Sequence, residues 1–236
     1  ALLGTSSASY AATEISWWFA HGGHLGEVVN QIGENYNASQ DACQITPVFK
    51  GTYEETLTSG IAAFRAGEQP NILQVFDAGA ATIIGAKGAV VPAQDILENA
   101  GVEFNSEDYI EGVRNFYADS EGKMIGMPFN SSTPILYVNE EALEKAGVEA
   151  PKTWEEFQEI APKLKEAGYV PLAQSHLPWI FTENFKSRHN LQFATNNNGF
   201  DGAEGTQLVF GEPIKNHFTA VKGWLDDGLF GYYGTG

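Results

Sequence analysis

Residues 126–139, GMPFNSSTPILYVN, decide the fold, because a polar run and an apolar run meet in this stretch. Residues 129–133 carry an amide and three hydroxyls, groups that donate hydrogen bonds to an anion or pair with a polyol. Pro134 favours extended geometry in the residue before it. The apolar residues 135–138 then predict a short buried strand, and the alternative is a surface loop.

A helix is predicted directly after this stretch. Asn139 is placed to cap the segment EEALEKAG, and Gly147 is suited to end it in the left-handed conformation. A further capping box follows at Thr153 and Glu156. Later segments predict a strand, an aromatic helix and a last helix, at residues 169–173, 179–190 and 213–228.

Upstream of the same stretch, apolar patterning predicts alternating strands and helices. The predicted strands are residues 14–19, 44–49, 71–76 and 123–127. Thr52 and Glu55 form a T-x-x-E capping box that opens the second helix, and Gly67 can close it. This alternation favours an α/β fold, with helices covering a sheet.

The two α/β runs predict two lobes joined by extended chain. The expected limits are a tail at 1–12, a first lobe at 13–125, a crossover at 126–138 and a second lobe at 139–236. The tail, ALLGTSSASYAA, is similar to the end of a secretory signal, and a disordered tail is the alternative.

Composition narrows the possible partners. The chain has 236 residues and a formal charge of −17, which argues against nucleic acid as a partner. Any anionic ligand must be held by local donors, because the net field repels it. Cys43 is the one cysteine, so an intrachain disulfide is excluded. The sequence has no apolar run long enough to span a bilayer.

Candidate ligand contacts follow the predicted strands, since ligands of open α/β sheets sit beyond the carboxyl ends of strands. Residues 21–24, Tyr53 and Asp77 have this position. Tyr53 and Trp179 offer flat faces with polar tips, although core packing is the alternative for any aromatic residue. Asp77 can accept hydrogen bonds from ligand hydroxyls, and the hydroxyls of Ser131 and Ser132 can donate them.

Catalytic and cofactor chemistry has weaker support. His21, His24 and Glu27 have the spacing of metal ligands on a helix, but no fourth ligand is evident, so no metal is predicted. The sequence has no P-loop and no dinucleotide fingerprint, so no cofactor is predicted. Two alternatives stay open at this point. They are a sugar or oligosaccharide binder, and a hydrolase or lyase that uses Asp77 and a histidine.

Five segments taken in order carry a family resemblance. They are KGTYEETLTSGIAAFRAGEQPNILQVFD, PFNSSTPILYVN, PKTWEEF, WIFTENF and NNNGFDG. Together they resemble the glycerol-3-phosphate-binding branch of the extracellular solute-binding proteins, which serve ABC importers and are related to maltose-binding protein. The match runs from about Ile15 to about Tyr233.

The resemblance implies a two-lobed periplasmic-binding-protein-like fold of type II, with the ligand closed between hinged lobes. It implies a periplasmic protein that binds a small glycerol phosphate ligand, performs no chemistry on it and delivers it to ABC permease membrane subunits. By the resemblance Tyr53 and Asp77 contact the glycerol moiety, and Ser132 contacts the ligand from the linker region. Trp179 matches the second tryptophan of an aromatic wall, and His176 matches the first.

This sequence departs from the family at three places. Asp77 replaces a glutamate, and His176 replaces a tryptophan. A shorter acid and a smaller ring lead us to expect a ligand range shifted toward glycerophosphodiesters such as glycerophosphocholine. Members of the family also run on beyond the point that matches Gly236, where most phosphate-binding residues lie. We therefore expect the chain to be the N-terminal part of such a protein.

Overall fold

The computed structural model describes residues 11–86, 88–119, 121–199, 201–202 and 204–234. Nearly all of the predicted tail at 1–12 lies outside these residues. The chain divides into two compact units, one that runs to Ser131 and one that begins at Ser132. The division falls inside the predicted crossover at 126–138. The lobe limits themselves stay a prediction.

The first unit is built on a parallel sheet with the strand order β2-β1-β3. Its strands are β1 (Thr13–Phe19), β2 (Cys43–Phe49) and β3 (Ile72–Leu73). The helices are α1 (Gly23–Ser39), α2 (Tyr53–Ala66), α3 (Asp77–Gly85), α4 (Ala93–Asn99) and α5 (Glu111–Phe116), with a 3-10 turn at Ser106–Asp108. The predicted alternation of strands and helices in this unit is confirmed.

The start of α2 is fixed by the predicted capping box. The Thr52 hydroxyl accepts from the Glu55 N–H at 3.2 Å, and the Glu55 carboxylate accepts from the Thr52 N–H at 2.7 Å. Gly67 ends the helix in the left-handed conformation, at φ 75°. These bonds set the position of Tyr53, the first residue of α2.

The strand β3 is shorter than the predicted strand at 71–76. It pairs with β1 only at Ile72 and Leu73. One residue further on, the side-chain oxygen of Gln74 accepts from the Ala20 N–H at 2.9 Å. The Gln74 side chain therefore replaces a backbone carbonyl as the acceptor for Ala20, and the regular pairing of β3 with β1 ends at this point.

Two other predicted strands are wrong. Residues 123–127 form only an isolated antiparallel bridge between Ala118 and Met124. The N–H groups of Ile125 and Gly126 both donate to the Tyr117 carbonyl, at 2.9 and 3.3 Å, so no regular ladder continues beyond the bridge. Residues 135–138 are not a strand and are exposed, with 87% of Tyr137 accessible. Within the described residues no strand pairs with 135–138, and an unpaired segment cannot satisfy its backbone groups as a sheet does.

The second unit packs its helices around the parallel pair β4 (Leu172–Gln174) and β5 (Phe230–Tyr232). The helices are α6 (Glu140–Ala146), α7 (Trp154–Glu166), a π-helix at Pro178–Asn184, α8 (Phe185–Arg188), α9 (Thr195–Asn198) and α10 (Glu212–Asp226). The buried core consists of Phe157, Ala161, Phe181, Val221, Trp224 and Phe230. In the described part of the chain no helix is both long and apolar enough to cross a bilayer.

The predicted helix signals of the second unit are largely confirmed. Asn139 accepts from the Ala142 N–H at 3.0 Å, and Gly147 ends α6 at φ 63°. Thr153 accepts from the Glu156 N–H at 3.2 Å, but the Glu156 carboxylate accepts from Lys152 instead of closing the capping box. The predicted strand at 169–173 moves to Leu172–Gln174, and the predicted aromatic helix begins as a π-helix.

Candidate functional site

The carboxyl ends of the three strands of the first unit meet at one edge of the sheet, because the strands are parallel. His21 follows β1, Tyr53 follows β2, and Asp77 follows β3. Ligands of open α/β sheets bind at this edge. The structure therefore brings Tyr53 and Asp77 together, as their positions in the sequence predict.

Tyr53 is held by rings on two sides. Its ring stacks on Phe76 with centroids 5.3 Å apart, and it meets the His21 ring edge-on at 5.9 Å. Burial raises the pKa of the Tyr53 hydroxyl, and the carboxylate of Asp77 raises it further. Tyr53 therefore keeps its proton over the physiological range and can donate a hydrogen bond to a ligand.

Asp77 is half-buried at the first position of α3. Its Oδ1 accepts from the Ala78 N–H at 2.8 Å, so the helix terminus orients the carboxylate. Burial and then this carboxylate raise the pKa of Tyr117, whose hydroxyl donates to the Val75 carbonyl at 3.4 Å. Tyr117 was not predicted as a site residue, because nothing in its local sequence links it to the sheet edge.

His21 joins this cluster through two amide side chains. Its Nε2 lies 2.7 Å from Gln74 Nε2 and 3.1 Å from Asn130 Nδ2. The position of His21 after a strand predicts a ligand contact, whereas its spacing from His24 is typical of metal ligands on a helix. His24 instead pairs with Glu27 at 3.2 Å on the surface. Over the residues that the structure describes, no three His, Cys, Asp or Glu side chains form a cluster that could hold a metal ion.

Ser131 and Ser132 are exposed and lie on the two sides of the division between the units. The preceding residue, Asn130, is tied to His21, and Phe129 packs edge-on against Trp17 at 5.6 Å. The start of the NSST run is thus anchored to the first unit. Ligand contacts by the two serines stay a prediction.

His176 and Trp179 lie on one turn of the second unit. His176 has a φ of 53°, its N–H donates to the Gly234 carbonyl at 3.0 Å, and its carbonyl accepts from the Ile180 N–H at 3.1 Å. The Trp179 carbonyl accepts from the side-chain amide of Asn184 at 2.7 Å. Short π-helices such as Pro178–Asn184 often occur at functional sites. The His176 side chain is exposed and Trp179 is half-buried.

Each unit also contains an apolar cavity. The cavity of the first unit measures about 510 Å³, and Gln74, Tyr117 and Asn130 are part of its lining. The cavity of the second unit measures about 620 Å³ and is lined by residues that include Trp154 and Phe157. Neither lining includes Tyr53, Asp77, His176 or Trp179. The candidate contacts therefore lie outside both cavities.

The fold and the polar sheet edge define a class, the α/β binding proteins of the maltose-binding type. The chain belongs to the bacterial extracellular solute-binding protein family, whose model matches residues 24–232. It is 44% identical over 97% of its length to the sn-glycerol-3-phosphate-binding periplasmic protein of Agrobacterium fabrum, and covers 54% of that protein. Identity to the protein of the same name from Rhizobium meliloti is 43%, over 95% of this chain and 53% of the relative.

The solved structures agree on the fold. A periplasmic oligogalacturonide-binding protein from Yersinia enterocolitica superposes with a TM-score of 0.69 at 16% identity, over 93% of this chain and 52% of that one. This likeness bears on the fold alone. The chain spans about half the length of the curated relatives that it matches.

Proposed function

We propose that this chain is part of the substrate-binding component of an ABC importer, which captures sn-glycerol-3-phosphate or a glycerophosphodiester. The observation that carries the proposal is the convergence of Tyr53 and Asp77 at the carboxyl edge of the sheet. The relatives named for glycerol-3-phosphate binding support this choice of ligand.

The chemistry of the cluster suits a polyol. The Asp77 carboxylate accepts hydrogen bonds from ligand hydroxyls, and bonds to a charged acceptor are the stronger kind. The face and hydroxyl of Tyr53 offer an apolar contact and a donor to the same ligand. Asp77 is one methylene shorter than the glutamate of the family, so a bridging water completes its contact with the glycerol.

The second unit extends the proposal to glycerophosphodiesters. By the family resemblance His176 matches a wall tryptophan. Its imidazole is smaller than indole, and the side chain is exposed. The space that the indole would fill is then open to a larger head group on the phosphate. Trp179, half-buried in the adjacent turn, keeps one aromatic surface for that head group.

The proposed partners and location follow from the family and from the curated relatives. The protein acts in the periplasm, and its liganded form is recognised by the membrane permease of the importer. It binds its ligand and does not transform it.

Isothermal titration with glycerol-3-phosphate, glycerophosphocholine and maltose tests the proposal. We expect both phosphate ligands to bind with one site per protein and maltose to give no heat. Binding of maltose alone, or turnover of either phosphate ligand, would contradict the proposed function. His176→Trp is the informative variant, since it should weaken glycerophosphocholine binding and leave glycerol-3-phosphate binding unchanged.

A further inference from the structure

The His21 ring lies at the centre of the polar cluster of the first unit. It follows β1, is half-buried, and contacts side chains from three other segments. These contacts are the amides of Gln74 and Asn130 and the ring of Tyr53. The position of the His21 ring therefore affects the orientation of all three side chains.

The hydrogen-bond network determines which proton the ring carries. Gln74 uses its Oε1 to accept from the Ala20 N–H at 2.9 Å, so its NH₂ group is the end that faces His21. An NH₂ group has no acceptor, and His21 Nε2 must therefore accept. The same Nε2 also faces Asn130 Nδ2. The imidazole is thus neutral, with its proton on Nδ1.

We propose that His21 is a positioning residue of the ligand site, and that its neutral ring holds Asn130 and Tyr53 in their binding orientation. Asn130 begins the NSST run and directly precedes Ser131. A single acceptor therefore links the sheet edge to the segment that carries the hydroxyl donors. This inference rests on the proposed function and adds a specific residue to it.

Protonation breaks this arrangement. An imidazolium carries a proton on both nitrogens, so Nε2–H would point at two amide N–H groups and lose both hydrogen bonds. Loss of the acceptor at Nε2 would therefore release Asn130 from the orientation that the ring gives it.

Three variants separate the acceptor from the ring. His21→Gln retains an acceptor near the Nε2 position but does not titrate, whereas His21→Phe retains the ring and removes the acceptor. His24→Gln is the matched control, because His24 is exposed and pairs with Glu27 on the surface. We expect His21→Phe to weaken glycerol-3-phosphate binding about tenfold at pH 7.5 and His21→Gln to bind within about threefold of wild type.

The contrast between the two His21 variants gives the decisive readout. A His21→Phe protein that binds like the wild type, or a His21→Gln protein that binds as weakly as His21→Phe, would overturn the inference.

A measurement without ligand keeps the inference separate from the proposed function. Nitrogen-15 NMR of the whole protein at pH 7.5 should show His21 Nε2 unprotonated, and the Asn130 side-chain amide signal should shift in His21→Phe. A protonated Nε2 at that pH, or an Asn130 amide signal that is the same in His21→Phe as in the wild type, would overturn the inference even if glycerol-3-phosphate binds. If no ligand binds but these signals appear, the positioning network stands and the proposed function fails.

Discussion

The two units hold their candidate ligand residues in different ways. In the first unit side chains hold side chains, as His21 does for Asn130 and Phe76 does for Tyr53. In the second unit hydrogen bonds fix the backbone of the candidate residues, at the N–H of His176 and the carbonyl of Trp179. Side-chain substitutions should therefore disturb the candidate site of the first unit. In the second unit a substitution at position 176 should keep the local backbone and change the range of ligands.

The core of the second unit should give the largest effect. Phe181 is 1% exposed within the π-helix that carries Trp179. Phe181→Ala should lower the free energy of unfolding by about 3–5 kcal/mol, because it leaves a cavity in the core. Chemical denaturation followed by tryptophan fluorescence measures this. Phe218→Ala, which removes a ring that is 39% exposed, is the control and should cost less than half as much. Equal losses would mean that the π-helix does not depend on this core.

The next effect tests the first unit as a ligand site. Asp77→Asn keeps the acceptor for the Ala78 N–H but removes the charge, and should weaken glycerol-3-phosphate binding about tenfold. His176→Ala should change that affinity by less than about threefold, because the hydrogen bonds of His176 are made by its backbone and the substitution keeps them. Titration calorimetry measures both. Asp41→Asn, an exposed substitution in the same unit, should have no effect.

The same variant has a signature that does not need ligand. Because Asp77 contributes to raising the pKa of Tyr53 and of Tyr117, Asp77→Asn should lower both, although burial keeps them above the ordinary value. Ultraviolet titration of tyrosine ionisation detects this shift. Unchanged tyrosine titration would show that the three side chains are not in electrostatic contact.

Helix caps should give a smaller effect and one that is similar in the two units. Thr52→Ala removes the hydroxyl that accepts from Glu55, and Asn139→Ala removes the amide oxygen that accepts from Ala142. Each should lower the free energy of unfolding by about 1 kcal/mol. Thr52→Ser and Asn139→Asp, which keep an acceptor, should restore most of the loss in denaturation experiments. Restoration in neither would refute the capping assignment.

The smallest effect is a pH dependence specific to the second unit. Burial lowers the pKa of His217, and His189 lowers it further. The unfolded chain then binds the proton more readily, so this stability is complete above pH of about 6.5 and is lost as the pH falls toward the folded pKa. His217→Phe should reduce the slope of stability against pH below 6.5, and His24→Gln should leave it unchanged. Thermal unfolding at pH 5.5 and 7.5 measures the difference.

Local signals explain what the sequence could predict. Caps such as Thr52 and Asn139 act on backbone groups within a few residues, so the helix limits could be predicted closely. The placement of Tyr53 and Asp77 at the carboxyl ends of strands could be predicted, because their position after a strand is visible in the sequence. The family resemblance agrees with the family match over residues 24–232.

The misses share a non-local cause. A strand at 135–138 requires a partner, and the apolar pattern does not reveal whether one pairs with it. The role of Gln74, which ends β3 with its side chain, depends on Ala20, 54 residues away in sequence. Asn130 and His21 are 109 residues apart and meet only in the folded unit. Such contacts need the tertiary structure.

A crystal structure of the whole protein with glycerol-3-phosphate tests the central claim most directly. The account predicts that the glycerol hydroxyls lie within hydrogen-bonding distance of Asp77, directly or through one water, with the Tyr53 ring beside the carbon chain. Glycerol-3-phosphate bound elsewhere, with no contact to either side chain, would contradict it.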